Sequence, residues 1–86
     1  MPTADEKIKQ IATLMENLIN DNSIPKNIRR VVGEAKQKLE GSEDPVVRAS
    51  SAVYALGEVS EDINMPVHAR TQIWTILNAL ETIKEG

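Results

Sequence analysis

The chain has 86 residues, a net charge of −3, no cysteine, one His, one Trp, one Tyr and no Phe. That length makes one domain, and that inventory excludes disulfides, a Cys/His-built metal site and general nucleic-acid affinity through net charge. The core has to come from nine Ile, six Leu and seven Val, with Ala, Met and the two aromatics filling in; a chain this short buries only about 60–65% of its unfolded surface, so self-association is a reasonable way to bury more.

The charge is unevenly placed. Residues 1–41 carry seven basic and six acidic groups, and residues 42–86 carry three and seven. Met1 to Lys9 lacks the apolar core of a signal peptide, and no apolar run approaches the ~20 residues that a membrane span needs. A soluble, cytoplasmic protein with no membrane partner is expected.

The first amphipathic run starts at Thr3, with Glu6 at the spacing of a capping box. Ile8, Ile11, Ala12, Met15, Leu18 and Ile19 then fall on one helical face, and Asn20 to Ser23 ends the run with short polar side chains that compete for backbone hydrogen bonds. Pro25 opens the second run, because its fixed φ suits a first helical turn. Ile28, Val31, Val32, Ala35 and Leu39 form its stripe, and Gly41 follows as a C-terminal cap.

Asp44 as N-cap and Pro45 after it open the third run. Val46, Ala49, Ala52, Val53, Leu56 and Val59 mark its buried side, and its many small residues permit close approach of a neighbour. Pro66 opens the fourth run, whose apolar face is Ala69, Ile73, Ile76, Leu77, Leu80 and Ile83. Helices are therefore expected over residues 4–20, 25–40, 45–59 and 66–84 of a single domain spanning residues 1–86. Short breaks make successive helices antiparallel neighbours, so the expected class is all-α and the architecture an antiparallel up-and-down four-helix bundle.

Shifting the chain by forty-one positions places Asp21, Pro25, Arg29, Leu39 and Glu40 on Asp62, Pro66, Arg70, Leu80 and Glu81. The matches cluster at the helix-start motif D-x-x-[IM]-P-x-x-x-R. Two hairpins of one ancestry, or two hairpins obeying the same capping chemistry, would both produce it.

Asp44 to Val59 is similar to the first helix of a HEAT-type repeat, with D-P-x-V-R leading to A-L-G. Arg48 to Leu56 spans one residue more than that pattern, which rotates the Leu by about 100° around the helix; the likeness is treated as convergence. The chain as a whole resembles uncharacterised protein family 0147, a small archaeal group. The residues that carry this are D-x-x-I-P-x-x-I-R (Asp21 to Arg29), E-D-P-x-V-R-A (Glu43 to Ala49) and Met65-Pro66 with Arg70. The resemblance implies a small helical protein of archaeal, intracellular setting, and it implies no activity, cofactor or binding residue.

Few residues could carry chemistry. His68 could act with Asp62 or Glu61 as a base, or simply sit in the first turn of the last helix; no nucleophile, metal-ligand partner or phosphate loop accompanies it. No catalytic, cofactor-binding or metal-binding residue is assigned, no cofactor or small-molecule substrate is expected, and the chain is read as not an enzyme. Lys26, Arg29, Arg30, Lys36 and Lys38 oppose only Glu34 and Glu40 on the second helix: a footprint for phosphates, or a solvated face. Trp74 lies at the edge of its helix's stripe and, with Arg70 beside it, would serve as an interface anchor or as the main core filler; the same choice holds for Tyr54. The resulting reading is a non-enzymatic helical protein–protein interaction module or small assembly subunit, self-association included. The alternative is a nucleic-acid-associated protein using the second helix.

Overall fold

Thr3 starts the first helix, α1 (Ala4–Ile19). In the computed structural model, which describes residues 3–83, its hydroxyl accepts from the Glu6 N–H at 3.2 Å and donates to the Glu6 carboxylate at 3.2 Å. Glu6 thus reaches the Thr3 hydroxyl instead of the Thr3 N–H that a full capping box would satisfy.

The second helix, α2 (Lys26–Leu39), begins one residue after its proline. Pro25 has a helical φ of −54° but an extended ψ of 146°, so it stands outside the first turn. Its carbonyl takes the first helical bonds, from the N–H groups of Ile28 and Arg29 at 3.1 Å each. Pro66 repeats this with ψ 150° before α4 (Val67–Glu81). Only Pro45 sits inside its helix, α3 (Pro45–Leu56), and Asp44 before it caps by position without a side-chain bond. Glu40, not Gly41, ends α2, and Gly41 has none of the left-handed backbone that glycine caps use.

The third helix is shorter than expected, ending at Leu56 instead of Val59. At Gly57 the pattern tightens: Glu58 and Val59 bond back three residues, to the carbonyls of Ala55 and Leu56 at 3.3 and 3.1 Å. Three-residue bonding narrows the winding and breaks the α-helical register. Val59 stays buried even so. The fourth helix closes at Glu81 with Thr82 as C-cap; the expected end at residue 84 lies outside the described residues.

No strand occurs among the described residues, and the four helices form an antiparallel up-and-down bundle. α1 packs against α2 and α4, and α3 packs against α2 and α4. α1 and α3 also touch across the middle, whereas α2 and α4 stand at opposite edges. The most extensive pairing is α2 with α3, and α3 carries the small buried residues Ala49, Ala52 and Ala55. The core is apolar throughout: every expected stripe residue is buried except Ile19, Val46 and Val53, which are partly covered. Ile24 and Met65 join it from the loops, and no polar side chain among the described residues is buried.

The offset of forty-one positions is a structural relation as well. α2 superposes in sequence on Val67 to Leu80 of α4, and the α1–α2 loop repeats as the α3–α4 loop. In each loop the aspartate carboxylate accepts from the N–H two residues on, Ser23 at 2.9 Å and Asn64 at 2.8 Å. The residue after that turns inward, as Ile24 and Met65, and their N–H groups bond to the carbonyls of Asp21 and Asp62. Each motif arginine returns to its own loop: Arg29 donates to the Ile24 carbonyl and Arg70 to the Asp62 carbonyl, both at 2.9 Å. Because α1 and α3 run the same way, the two hairpins are related by an approximate two-fold along the bundle.

Candidate interaction surfaces

The two loops meet at one end of the bundle and grip each other reciprocally. His68 Nε2 lies 3.0 Å from Asp21 Oδ2, and Asn27 donates to Asp62 Oδ2 at 3.5 Å. Asn27 and His68 are two-fold mates, as are Asp21 and Asp62, so each loop's aspartate takes a side chain from the other hairpin. His68 therefore pairs with Asp21, not with the Asp62 or Glu61 near it in sequence. Ser23 lies 3.2 Å from the same Nε2 and donates its proton to Asp21 Oδ1 at 2.6 Å. A serine nucleophile needs its proton taken by one imidazole nitrogen while a carboxylate holds the other. Here both groups face one nitrogen and the serine proton is already given away, so the cluster is a clasp between loops. The Ser23 hydroxyl and N–H, with His68 adding to them, hold the Asp21 carboxyl down at about 2.

The basic face of α2 is largely spoken for. Arg29 is tied to the Ile24 carbonyl. Arg30 pairs with Glu34 one turn on. Lys36 meets Glu40 at 3.0 Å and Glu16 of α1 at 3.6 Å, and the Glu40 hydrogen bond keeps its ammonium above the ordinary lysine value. Lys26 and Lys38 have no carboxylate within ion-pair distance among the described residues, and they stand about 18 Å apart along the helix. The structure does not gather the five cations into one unneutralised strip.

The aromatics both reach the surface. Tyr54 is 84% exposed, so it fills no core, and Trp74 is half covered at 49%. Arg70, expected beside Trp74 at an interface rim, directs its guanidinium to the Asp62 carbonyl. Among the described residues, no three His, Asp or Glu side chains come together as metal ligands, and no helix is long and apolar enough to cross a membrane.

The chain matches the model of the Uncharacterised protein family (UPF0147) over residues 1–83. It belongs to that family. It is similar to the UPF0147 protein MJ1419 of Methanocaldococcus jannaschii, 43% identical over 95% of this chain and 89% of the relative. It is similar also to the UPF0147 protein PF0239 of Pyrococcus furiosus, 46% identical over 98% and 92%. Among solved structures, the crystal structure of the unknown-function protein MMP1188 matches with a TM-score of 0.91 and 41% identity, over 94% of this chain and 93% of that one.

In this UPF0147 chain the structure also exposes apolar residues that sequence reasoning passed over. Ile63 and Val67 stand in solvent, and Val47 and Leu14 are partly exposed. Val47 lies seven residues before Tyr54 on α3, and Val67 seven before Trp74 on α4, so each pair shares a helical face. That spacing was readable; it was obscured because both valines precede a run of genuine core positions. Arg48, known from the sequence only as a motif letter, gains a structural role. Its guanidinium donates to the carbonyls of Glu43 and Leu39 and meets Asp5 of α1 at 3.1 Å, closing the end of the bundle opposite the loop clasp.

Proposed function

We propose that this UPF0147 protein is a non-enzymatic, cytoplasmic interaction module, one domain over residues 1–86, that serves as a small subunit of a protein assembly. The observation that supports this is the pair of exposed heptad faces, Val47 with Tyr54 on α3 and Val67 with Trp74 on α4. Single exposed apolar residues are ordinary, but paired ones on a helix face are the composition of a contact surface with aromatic anchors. The apolar core and the loop clasp add to the reading, since the hydroxyl, imidazole and carboxylate that come together are all engaged in holding the fold.

Cross-linked capture of the protein from its native cells, with and without nuclease, tests this. The expected result is a protein partner that survives nuclease and is lost with Trp74→Ala, while the variant keeps its helical circular-dichroism signal. Partners that disappear with nuclease would instead assign the function to nucleic acid through Lys26 and Lys38. Recovery of the chain alone, from cells and as a monomer in vitro, would overturn the reading.

A further inference from the structure

The two hairpins share a scaffold and differ in what they present on it. Beside the outer side of α2, Ile19, Lys26, Asn27, Arg29, Arg30 and Gly33 surround an open hollow whose walls are mainly apolar. The aliphatic stems of the long cations supply such walls while their charged heads stay in water. Gly33 leaves the hollow open, because a Cβ placed there would meet nothing within 4 Å.

The two-fold mate of Gly33 is Trp74, and the mate of Lys26 is Val67. Where α2 has an absent side chain, α4 has a half-covered indole. One hairpin thus furnishes this place with its own aromatic ring, and the other leaves it vacant and rimmed with cations. An apolar depression with Lys and Arg at its rim suits an aromatic ring, whose faces are apolar and carry partial negative charge.

The chain carries one ring that stands free. Tyr54 is exposed nearly to its full extent, and its two-fold mate is Thr13, so the projecting ring, like the vacant hollow, occurs on one hairpin only. Its surroundings complement the rim. Val47 precedes it on the same face, Glu58 follows just past the end of α3, and Glu61 lies exposed beyond. The imbalance extends to the hairpins as wholes, since residues 1–41 are slightly basic and residues 42–86 distinctly acidic.

We propose that Tyr54 of one copy seats in the Gly33 hollow of a second copy, with Glu58 set against Lys26, the rim cation that has no carboxylate within ion-pair distance among the described residues. This rests on the interaction-module reading and names the chain itself as a partner. Ring and hollow lie on different surfaces, so the contact is head-to-tail, and such contacts either close into a ring of copies or run on.

The test is sedimentation equilibrium of the purified full chain across micromolar to millimolar concentrations. Wild type is expected to associate, and Tyr54→Ala and Gly33→Trp each to associate at least about tenfold more weakly. Mixing these two variants is expected to restore a one-to-one complex, because one keeps the hollow and the other keeps the ring. Arg30→Glu serves as a second hollow variant should Gly33→Trp fail to fold, and Gly33→Ala is the control that leaves the hollow nearly open. A monomeric wild type, association unchanged in both variants, or no recovery on mixing would overturn the proposal. A monomer that still captures a nuclease-resistant protein from cells would overturn self-docking alone; a monomer that captures nothing would overturn both readings.

Discussion

His68 Nε2 sits 3.0 Å from Oδ2 of Asp21, forty-seven residues away and in the other hairpin. The contact lies at the surface, yet with its neighbours it joins two halves whose buried contacts are apolar. Its reciprocal, Asn27 with Asp62, places an amide where the first has an imidazole.

The Asp21 carboxyl, held at about 2 against an ordinary 3.8, favours the folded state while it is ionised. The folded value is the lower one, so this contribution is complete above the ordinary value and is lost as pH falls toward about 2. The substitution Asp21→Asn keeps an oxygen for the Ser23 N–H but removes the ionisable group. Urea denaturation at a series of pH values should show wild type losing stability over the interval between those two values, with the Asp21→Asn variant showing a shallower decline there.

Gly33 lies inside α2 with open space around it. Gly33→Ala should therefore stabilise the protein by about 0.8–1.0 kcal/mol, the helix-propensity difference between the two residues. Gly57→Ala should not, because a Cβ there would stand 3.1 Å from the Tyr54 carbonyl oxygen. Thermal melts of the two variants side by side should shift in opposite directions, or only the first should rise.

Arg48 is only 14% exposed at its side chain and makes three polar contacts in a fixed fork. A lysine reaches with one flexible ammonium, so Arg48→Lys cannot serve the Glu43 and Leu39 carbonyls and Asp5 together. A loss of about 1–3 kcal/mol is expected in chemical denaturation. Asp5, the most exposed member of the group at 77%, should matter less: Asp5→Ala is expected to cost at most about 1 kcal/mol.

Ile28 and Ile63 are the same residue type in opposite surroundings, one fully buried and one 90% exposed. Ile28→Ala should cost about 2–5 kcal/mol through lost transfer energy and the cavity left behind. Ile63→Ala should change stability by no more than about 0.5 kcal/mol. Equal losses at the two sites would mean that Ile63 is covered in solution, and the oligomeric state would then have to be measured first.

The stripe positions and the start of α1 could be read directly, because a period of 3.6 and a Thr–x–x–Glu spacing are local properties of the chain. The helix ends were harder. Val59 fits the α3 stripe and is buried, but the backbone had already changed its winding at Gly57, which a count of apolar spacings does not register. Ile24 and Met65 lie outside any periodic run, so nothing local marks them as core. The repeat motif was visible as letters, whereas its physical content, an arginine returning to its own loop and an aspartate reaching the other, depends on two segments meeting. For the surfaces, Tyr54 and Trp74 could be named but not placed, since a residue at the edge of a stripe is turned inward or outward by the neighbour it meets. The cations of α2 could be counted, but Arg29 and Lys36 are committed to the Ile24 carbonyl and to Glu16 in ways that only packing determines.

The polar clasps at the two ends of the bundle each join groups far apart along the chain: forty-seven residues for Asp21 with His68 and forty-three for Asp5 with Arg48. Each hairpin can assemble from neighbouring contacts before either clasp has a second half to grip. Interactions that form only once the hairpins have docked act on unfolding more than on folding, so Asp21→Asn and Arg48→Lys are expected to raise the unfolding rate more than they lower the folding rate in stopped-flow denaturant jumps.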